Sequence, residues 1–238
     1  AFSASTTSEI HPFILLNYQG KLRDVSTLAH ELGHGIHQYF AAEQGHFNSI
    51  TPLTLAETAS VFGEMLTFKF LLSQEKNLIN KKALIANKVE DMINTVIRQI
   101  AFFEFEKELH SQRKISELTT EQICQIWIDV QSKSLGPSIK MGEEYKYYWS
   151  YIPHFIHSPF YVYAYAFGDC LVNSLYSEYE KTPQTFVKNY INLLKSGGSR
   201  NYKELLKIFN LNPHRNIFWE QGLDVISNLI DELEQLET

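Results

Sequence analysis

The amino-acid sequence predicts a mainly α-helical fold with a small β-strand element near its N-terminus. Apolar residues return every three to four positions through most of the 238 residues, the period of a helix with one buried face. Breaks carrying glycine or proline, at Gly45–Pro52, Gly136-Pro137 and Ser196–Ser199, separate these stretches. Only His11–Tyr18 departs from the pattern, as a run of apolar, branched and aromatic residues suited to a strand.

Taken in order, Tyr18-Gln-Gly-Lys21 reads as a turn after the strand, and a helix follows from Asp24. Its pattern is Leu28, Leu32, Ile36 and Tyr39, with Asp24 or Ser26 as the capping residue. Gly33 and Gly35 each lower helix stability by about 1 kcal/mol relative to Ala, so glycines here predict a close neighbour. Leu53–Leu72 is expected as one helix, Lys81–His110 as a longer one, and Thr120–Lys133 as a third. Further helices are expected over Phe160–Tyr179, Pro183–Lys195, Tyr202–Phe209 and Asn216–Leu236, with Ser196-Gly-Gly-Ser199 as a flexible connection. No internal repeat interrupts the run, so residues 1–238 read as one domain.

Composition narrows the function. The chain is 44% hydrophobic and 20% charged, ordinary for a soluble globular protein. A net charge of −6 without a long basic run excludes nucleic acid as the expected partner. Apolar stretches such as Phe13–Leu16 are too short to cross a bilayer. Cys124 and Cys170, without C-x-x-C spacing, fit reduced thiols and a cytoplasmic location. The chain begins at Ala1 and is expected to be a segment of something longer.

The chemistry concentrates in His30-Glu31-Leu32-Gly33-His34. Two histidines four apart on a helix share one face, so both imidazoles can reach a single metal ion. Neutral imidazole suits zinc, at bond lengths of about 2.0–2.1 Å. Glu31 flanks the ion and is placed to take a proton from an attacking water. A catalytic zinc usually has three protein ligands. The helix after Pro52 offers Glu57 and Glu64, two turns apart on one face among the small residues Ala56, Thr58, Ala59, Ser60 and Gly63. Glu57 is taken as the third ligand, and Glu64 as the group that holds a ligand or its helix in place.

Leu28-Ala-His-Glu-Leu-Gly-His-Gly-Ile-His37, followed by Glu57-Thr-Ala-Ser-Val-Phe-Gly-Glu64, resembles the oligoendopeptidase F group of the thimet oligopeptidase family. Ala1-Phe-Ser, His11–Asp24, Tyr151–Phe155, Phe160–Tyr165 and Leu194–Ser199 resemble it too, so the likeness covers nearly the whole chain. It implies a zincin-like helical metallopeptidase catalytic domain with one Zn2+ held by His30, His34 and Glu57, and with Glu31 as general base. It also implies that His37 supports the site, and that His154 and one of Tyr161, Tyr163 and Tyr165 donate to the tetrahedral intermediate. His157 is the weaker histidine candidate. Members of the family carry an N-terminal helical region that closes a deep channel. This chain is therefore expected to be the C-terminal catalytic portion, working on short peptides with that region or another subunit. Strand His11–Tyr18 is expected to pair with an extended peptide. The rival expectations are a zinc carboxypeptidase of related fold and a zinc-binding but inactive fragment.

Overall fold

In a computed structural model that describes residues 1–236, the order of elements begins with two short strands, β1 (Phe2–Ala4) and β2 (Phe13–Leu15). Helices follow: α1 (Leu22–Ala41), α2 (Leu53–Ala56), α3 (Ser60–Gln74), α4 (Leu78–Thr95), α5 (Ile97–Arg113) and α6 (Thr120–Leu135). The chain then continues through α7 (His154–His157), α8 (Tyr163–Lys181), α9 (Pro183–Lys195), α10 (Tyr202–Lys207) and α11 (Asn216–Gln235). Short 3₁₀ segments lie at Ala42–Gln44 and Glu143–Tyr151. The mainly helical expectation is met. Contacts group the chain into two compact units, Ala1–Asp91 with the chain from Phe167 onward, and Met92–Ala166.

In the first unit, β1 and β2 pair antiparallel, with Ser3 opposite Ile14. β1 has no counterpart in the sequence reading, and the strand expected over His11–Tyr18 shrinks to three residues. One face of this ribbon, carrying Ser3 and Ile14, is tied to α1. Ser3 Oγ donates to Gln38 Oε1 (3.0 Å), and Ile14 lies where a Cβ on Gly35 would meet it at 3.1 Å.

α1 starts two residues before Asp24, which serves the cap from the first turn instead of preceding it. Its carboxylate accepts from the Lys21 and Gln19 amides at 2.8 and 2.9 Å, and these bonds hold its pKa below the ordinary value. Ser26 takes no part. The expected apolar stripe is also inverted: Leu32, Ile36 and Tyr39 are exposed, while Glu31, Gly33, Gly35 and His37 are buried. Position 33 explains the inversion. A Cβ there would meet the Ala59 carbonyl oxygen at 2.4 Å, so α1 rests directly on neighbouring backbone.

That backbone is a break in the expected Leu53–Leu72 helix. Glu57, Thr58 and Ala59 form a turn between α2 and α3. Beneath it Phe62 packs among Tyr176, Tyr179, Phe186 and Tyr190, with ring centroids 4.7–5.9 Å away. The buried Tyr190 hydroxyl donates to the Thr58 carbonyl (2.8 Å) and so pins the turn from α9. Ser196–Ser199 is packed, which corrects the flexible connection expected there. The Gly198 amide donates to Asn48 O (2.7 Å), and a Cβ at 198 would meet Ile50 O at 2.4 Å. Here glycine serves close approach, not mobility.

The expected Lys81–His110 helix is two helices, α4 and, in the second unit, α5, interrupted at Val96. Thr95-Val96-Ile97 is three β-branched residues in a row, the weakest helical stretch of that run. α6 begins with a capping box, Thr119 Oγ1 accepting from the Gln122 amide and Gln122 Oε1 from the Thr119 amide. Phe102, Phe105, Ile126, Trp127, Ile152 and Val162 form the core. The 3₁₀ segment is fastened to α6 where Trp127 Nε1 donates to the Tyr145 carbonyl (2.9 Å).

Candidate functional site

α1 and the α2–α3 turn bring three donor groups together. His30 and His34 stand one turn apart on α1, and Glu57 follows α2 at the start of the turn. Among the described residues, His30, His34 and Glu57 form the one group whose donor atoms lie within metal-binding reach of one another. His34 Nε2 is 3.0 Å from His30 Nε2, and each is 3.5 Å from Glu57 Oε2. Ligands on a tetrahedral zinc at bonds of about 2.0–2.1 Å lie about 3.3–3.4 Å apart. The triangle matches that spacing, so these residues fit the ion.

The far sides of the rings support the same reading. His30 Nδ1 donates to Glu64 Oε1 (2.6 Å), which leaves Nε2 as an acceptor facing the triangle. The opposite side of His34 is tied to the Ala56 backbone. Ser60 Oγ donates to Glu57 Oε2 (2.7 Å), fixing that carboxylate. The Nε2 atoms of both rings and Glu57 Oε2 thus converge on one point, an arrangement that a cation completes. Glu31 is buried beside them, and its charge acts on both histidines.

The two ring pKa values move apart. Burial pulls His34 below its ordinary value, and the neighbouring His30 adds to the effect. Burial also works against His30, but the Glu64 hydrogen bond and the carboxylates of Glu64, Glu57 and Glu31 outweigh it and leave His30 raised.

His37 lies outside the triangle. It is 3% exposed, and burial drives its pKa down to about 4, so it is neutral at physiological pH. Its nearest polar partner is Thr51 Oγ1, 3.5 Å from Nε2. Behind Glu64 stand two residues that the sequence reading missed. Lys88 Nζ lies 4.0 Å from Glu64 Oε2. Asp169 is buried, accepts from Asn173 Nδ2 (2.9 Å), and is pushed up to about 6 by burial. Lys88 carried no signal, because a lone lysine on a helix reads as solvated. Asp169, an acid inside the apolar run Phe167–Leu175, was visible.

In the second unit His154, on α7, meets Tyr161 and Tyr165. His154 Nε2 is 3.2 Å from the Tyr165 hydroxyl oxygen. The Tyr161 ring stacks on His154 at 5.9 Å and lies 5.4 Å from the ring of Tyr165. Tyr163 is not part of this cluster: it is 38% exposed and packs against Phe103 at 5.7 Å. His157 is exposed.

Comparison with known proteins adds an independent line. The sequence profile described as Peptidase family M3 matches residues 2–225. An oligoendopeptidase F homolog of Borreliella burgdorferi is 33% identical, the match covering 99% of this chain and 40% of that one. Oligopeptidase PepF of Bacillus subtilis is 30% identical over 95% of this chain and 34% of its own length. Among solved structures, oligoendopeptidase-F from Enterococcus faecium superposes with a TM-score of 0.78 at 28% identity, covering 90% of this chain and 39% of that one. The chain thus spans about two fifths or less of the relatives it matches. No described helix is long and apolar enough to cross a membrane.

Proposed function

The chain belongs to peptidase family M3, and on that premise we propose that it is the zinc-holding catalytic part of an oligoendopeptidase, which hydrolyses internal bonds of short peptides. One observation carries the reading. His30 Nε2, His34 Nε2 and Glu57 Oε2 lie 3.0–3.5 Å apart, with Glu31 buried beside them.

One zinc per chain would be held by those three residues. When bound, it supplies Lewis acidity, lowering the pKa of water and polarising a carbonyl. The chain's own groups do the rest. Glu31 accepts the proton of the attacking water and passes it to the departing amine. Glu64 keeps the His30 ring turned with Nε2 inward. Hydrogen-bond donation to the developing oxyanion is assigned to His154 and Tyr165, whose contact favours that phenol over Tyr161 and Tyr163. Removing one such donor costs a protease on the order of 3–4 kcal/mol.

Peptide binding would use backbone pairing along β2, whose only partner among the described residues is β1. Confinement of the peptide is proposed to require further chain or another subunit. Two buried free thiols, Cys124 and Cys170, support a cytoplasmic setting. Burial and the neighbouring Asp169 push the Cys170 thiol up to about 12, so it is unreactive.

The test combines metal analysis with cleavage of a quenched fluorescent peptide blocked at both ends. The expected result is one zinc per chain, internal cleavage abolished by chelation, and a Glu31→Gln variant that keeps zinc but loses cleavage by a factor on the order of 10²–10⁴. Absent metal uptake, or full activity in Glu31→Gln, would sink the proposal. Cleavage confined to peptides with a free C-terminus would make the protein a carboxypeptidase instead.

A further inference from the structure

Two helical turns carry His154 and Tyr165, and one residue between them has an uncommon backbone. Ser158-Pro159-Phe160-Tyr161 closes with the Tyr161 amide donating to the Ser158 carbonyl (3.1 Å). Proline in second place and a positive φ in third are the marks of a type II turn, whose third residue is normally glycine. Here it is phenylalanine, at φ 60°. A bulky side chain at that φ is strained and persists only where its surroundings hold it.

The surroundings are α5. Glu106 Oε1 accepts the Phe160 amide at 2.8 Å. One helical turn further on, His110 packs its ring against Phe160 at 4.8 Å. Phe103 adds an edge contact at 6.2 Å. Glu106 is fully buried, and its Oε2 has no hydrogen-bond partner among the described residues. An apolar side chain of the same volume would fill the space without leaving an orphaned oxygen. The acid is therefore explained by what Oε1 does. Burial raises its pKa, while the Phe160 amide, His110 and His154 pull it back.

We propose that Glu106 is a positioning residue that grips the Phe160 amide, holds the Ser158–Tyr161 turn in its left-handed form, and so keeps His154 and Tyr165 paired. With φ of residue 160 relaxed to negative values, Tyr161 and all that follows would leave in another direction and the 3.2 Å contact would be lost. This inference rests on the proposed donor role of His154 and Tyr165 for its effect on catalysis, but its structural half stands apart.

The experiment uses the intact protein with zinc bound and reads kcat, KM, zinc content and hydrogen exchange at the Phe160 amide. Glu106→Gln keeps an acceptor of the same reach, so kcat should stay within about threefold and the amide should stay protected. Glu106→Met and Glu106→Asp lose that reach; kcat should fall on the order of tenfold to a hundredfold. KM and zinc content should hold, and amide protection should disappear. In a Phe160→Gly background, where glycine adopts the turn unaided, Glu106→Met should have a clearly smaller effect. If Glu106→Met fails to fold, the Asp and Gln variants decide between them. Wild-type kcat with a protected amide in Glu106→Asp, or a Gln variant as damaged as Asp, would overturn the inference. His154→Ala and Tyr165→Phe run alongside. Should these keep full kcat, the donor role fails, and amide exchange alone still decides what Glu106 holds.

Discussion

Replacing Gly33 by Ala puts a carbon where the structure has backbone. The new Cβ would meet Ala59 O at 2.4 Å, Ser60 Cα at 2.6 Å and Ala59 C at 2.7 Å. Ordinary contact begins near 3.4 Å, so α1 and the Glu57–Ala59 turn would have to part by about 1 Å. Backbone atoms cannot rotate aside, which places the overpacking cost near the top of its range, about 3 kcal/mol. Alanine returns about 1 kcal/mol of helix propensity, leaving a net loss of about 2 kcal/mol. Metal ligands tolerate displacements of only about 0.2 Å, so Glu57 would leave the triangle and zinc affinity should fall at least 10–100-fold. Urea denaturation of the chelated protein and competitive zinc titration measure the two effects. A variant more stable than wild type, with zinc affinity changed less than twofold, would refute the close approach and the site built on it.

Other expectations follow from single contacts. Glu64→Ala removes the acceptor of His30 Nδ1 and should weaken zinc binding about 10–100-fold while leaving the fold intact, as read by titration and circular dichroism. His34→Ala should lose stoichiometric zinc altogether, which elemental analysis would detect. His37 contributes to stability in a pH-dependent way. Its folded pKa of about 4 lies below the ordinary histidine value of 6.5, so the unfolded chain binds the extra proton first as pH falls. Stability is therefore complete above pH 6.5 and declines toward pH 4, by about 3 kcal/mol in total. His37→Gln should flatten this decline in urea midpoints compared at pH 7 and 4.5 with chelator present. An unchanged slope would contradict the assignment.

What could be read from the sequence depended on whether a residue's role leaves a periodic or positional trace. His30 and His34 do, because a spacing of four fixes their common face on any helix. α9 was bounded at Pro183 and Lys195 because proline suits a first turn and glycine follows. The buried side of α1 left no such trace. Glycines make contact by what they lack, so the exposed Leu32, Ile36 and Tyr39 looked like the core face. β1 is three residues long, too short to alternate. The 3₁₀ segment Glu143–Tyr151 mixes charged and aromatic residues without a helical period. Glu106 was invisible for an ordinary reason: a lone glutamate among Lys107 and Glu108 resembles every solvated helix surface, and only the fold reveals that it points inward.

The turn that bears Glu57 is held by the phenol of a residue 132 positions beyond Thr58. During synthesis, both imidazoles and the carboxylate leave the ribosome long before Tyr190 does. A nascent chain thus owns every donor atom early but acquires their final spacing only when α9 has docked. Any metal held by these three donors would then meet a site whose geometry is finished only after most of the chain has been made.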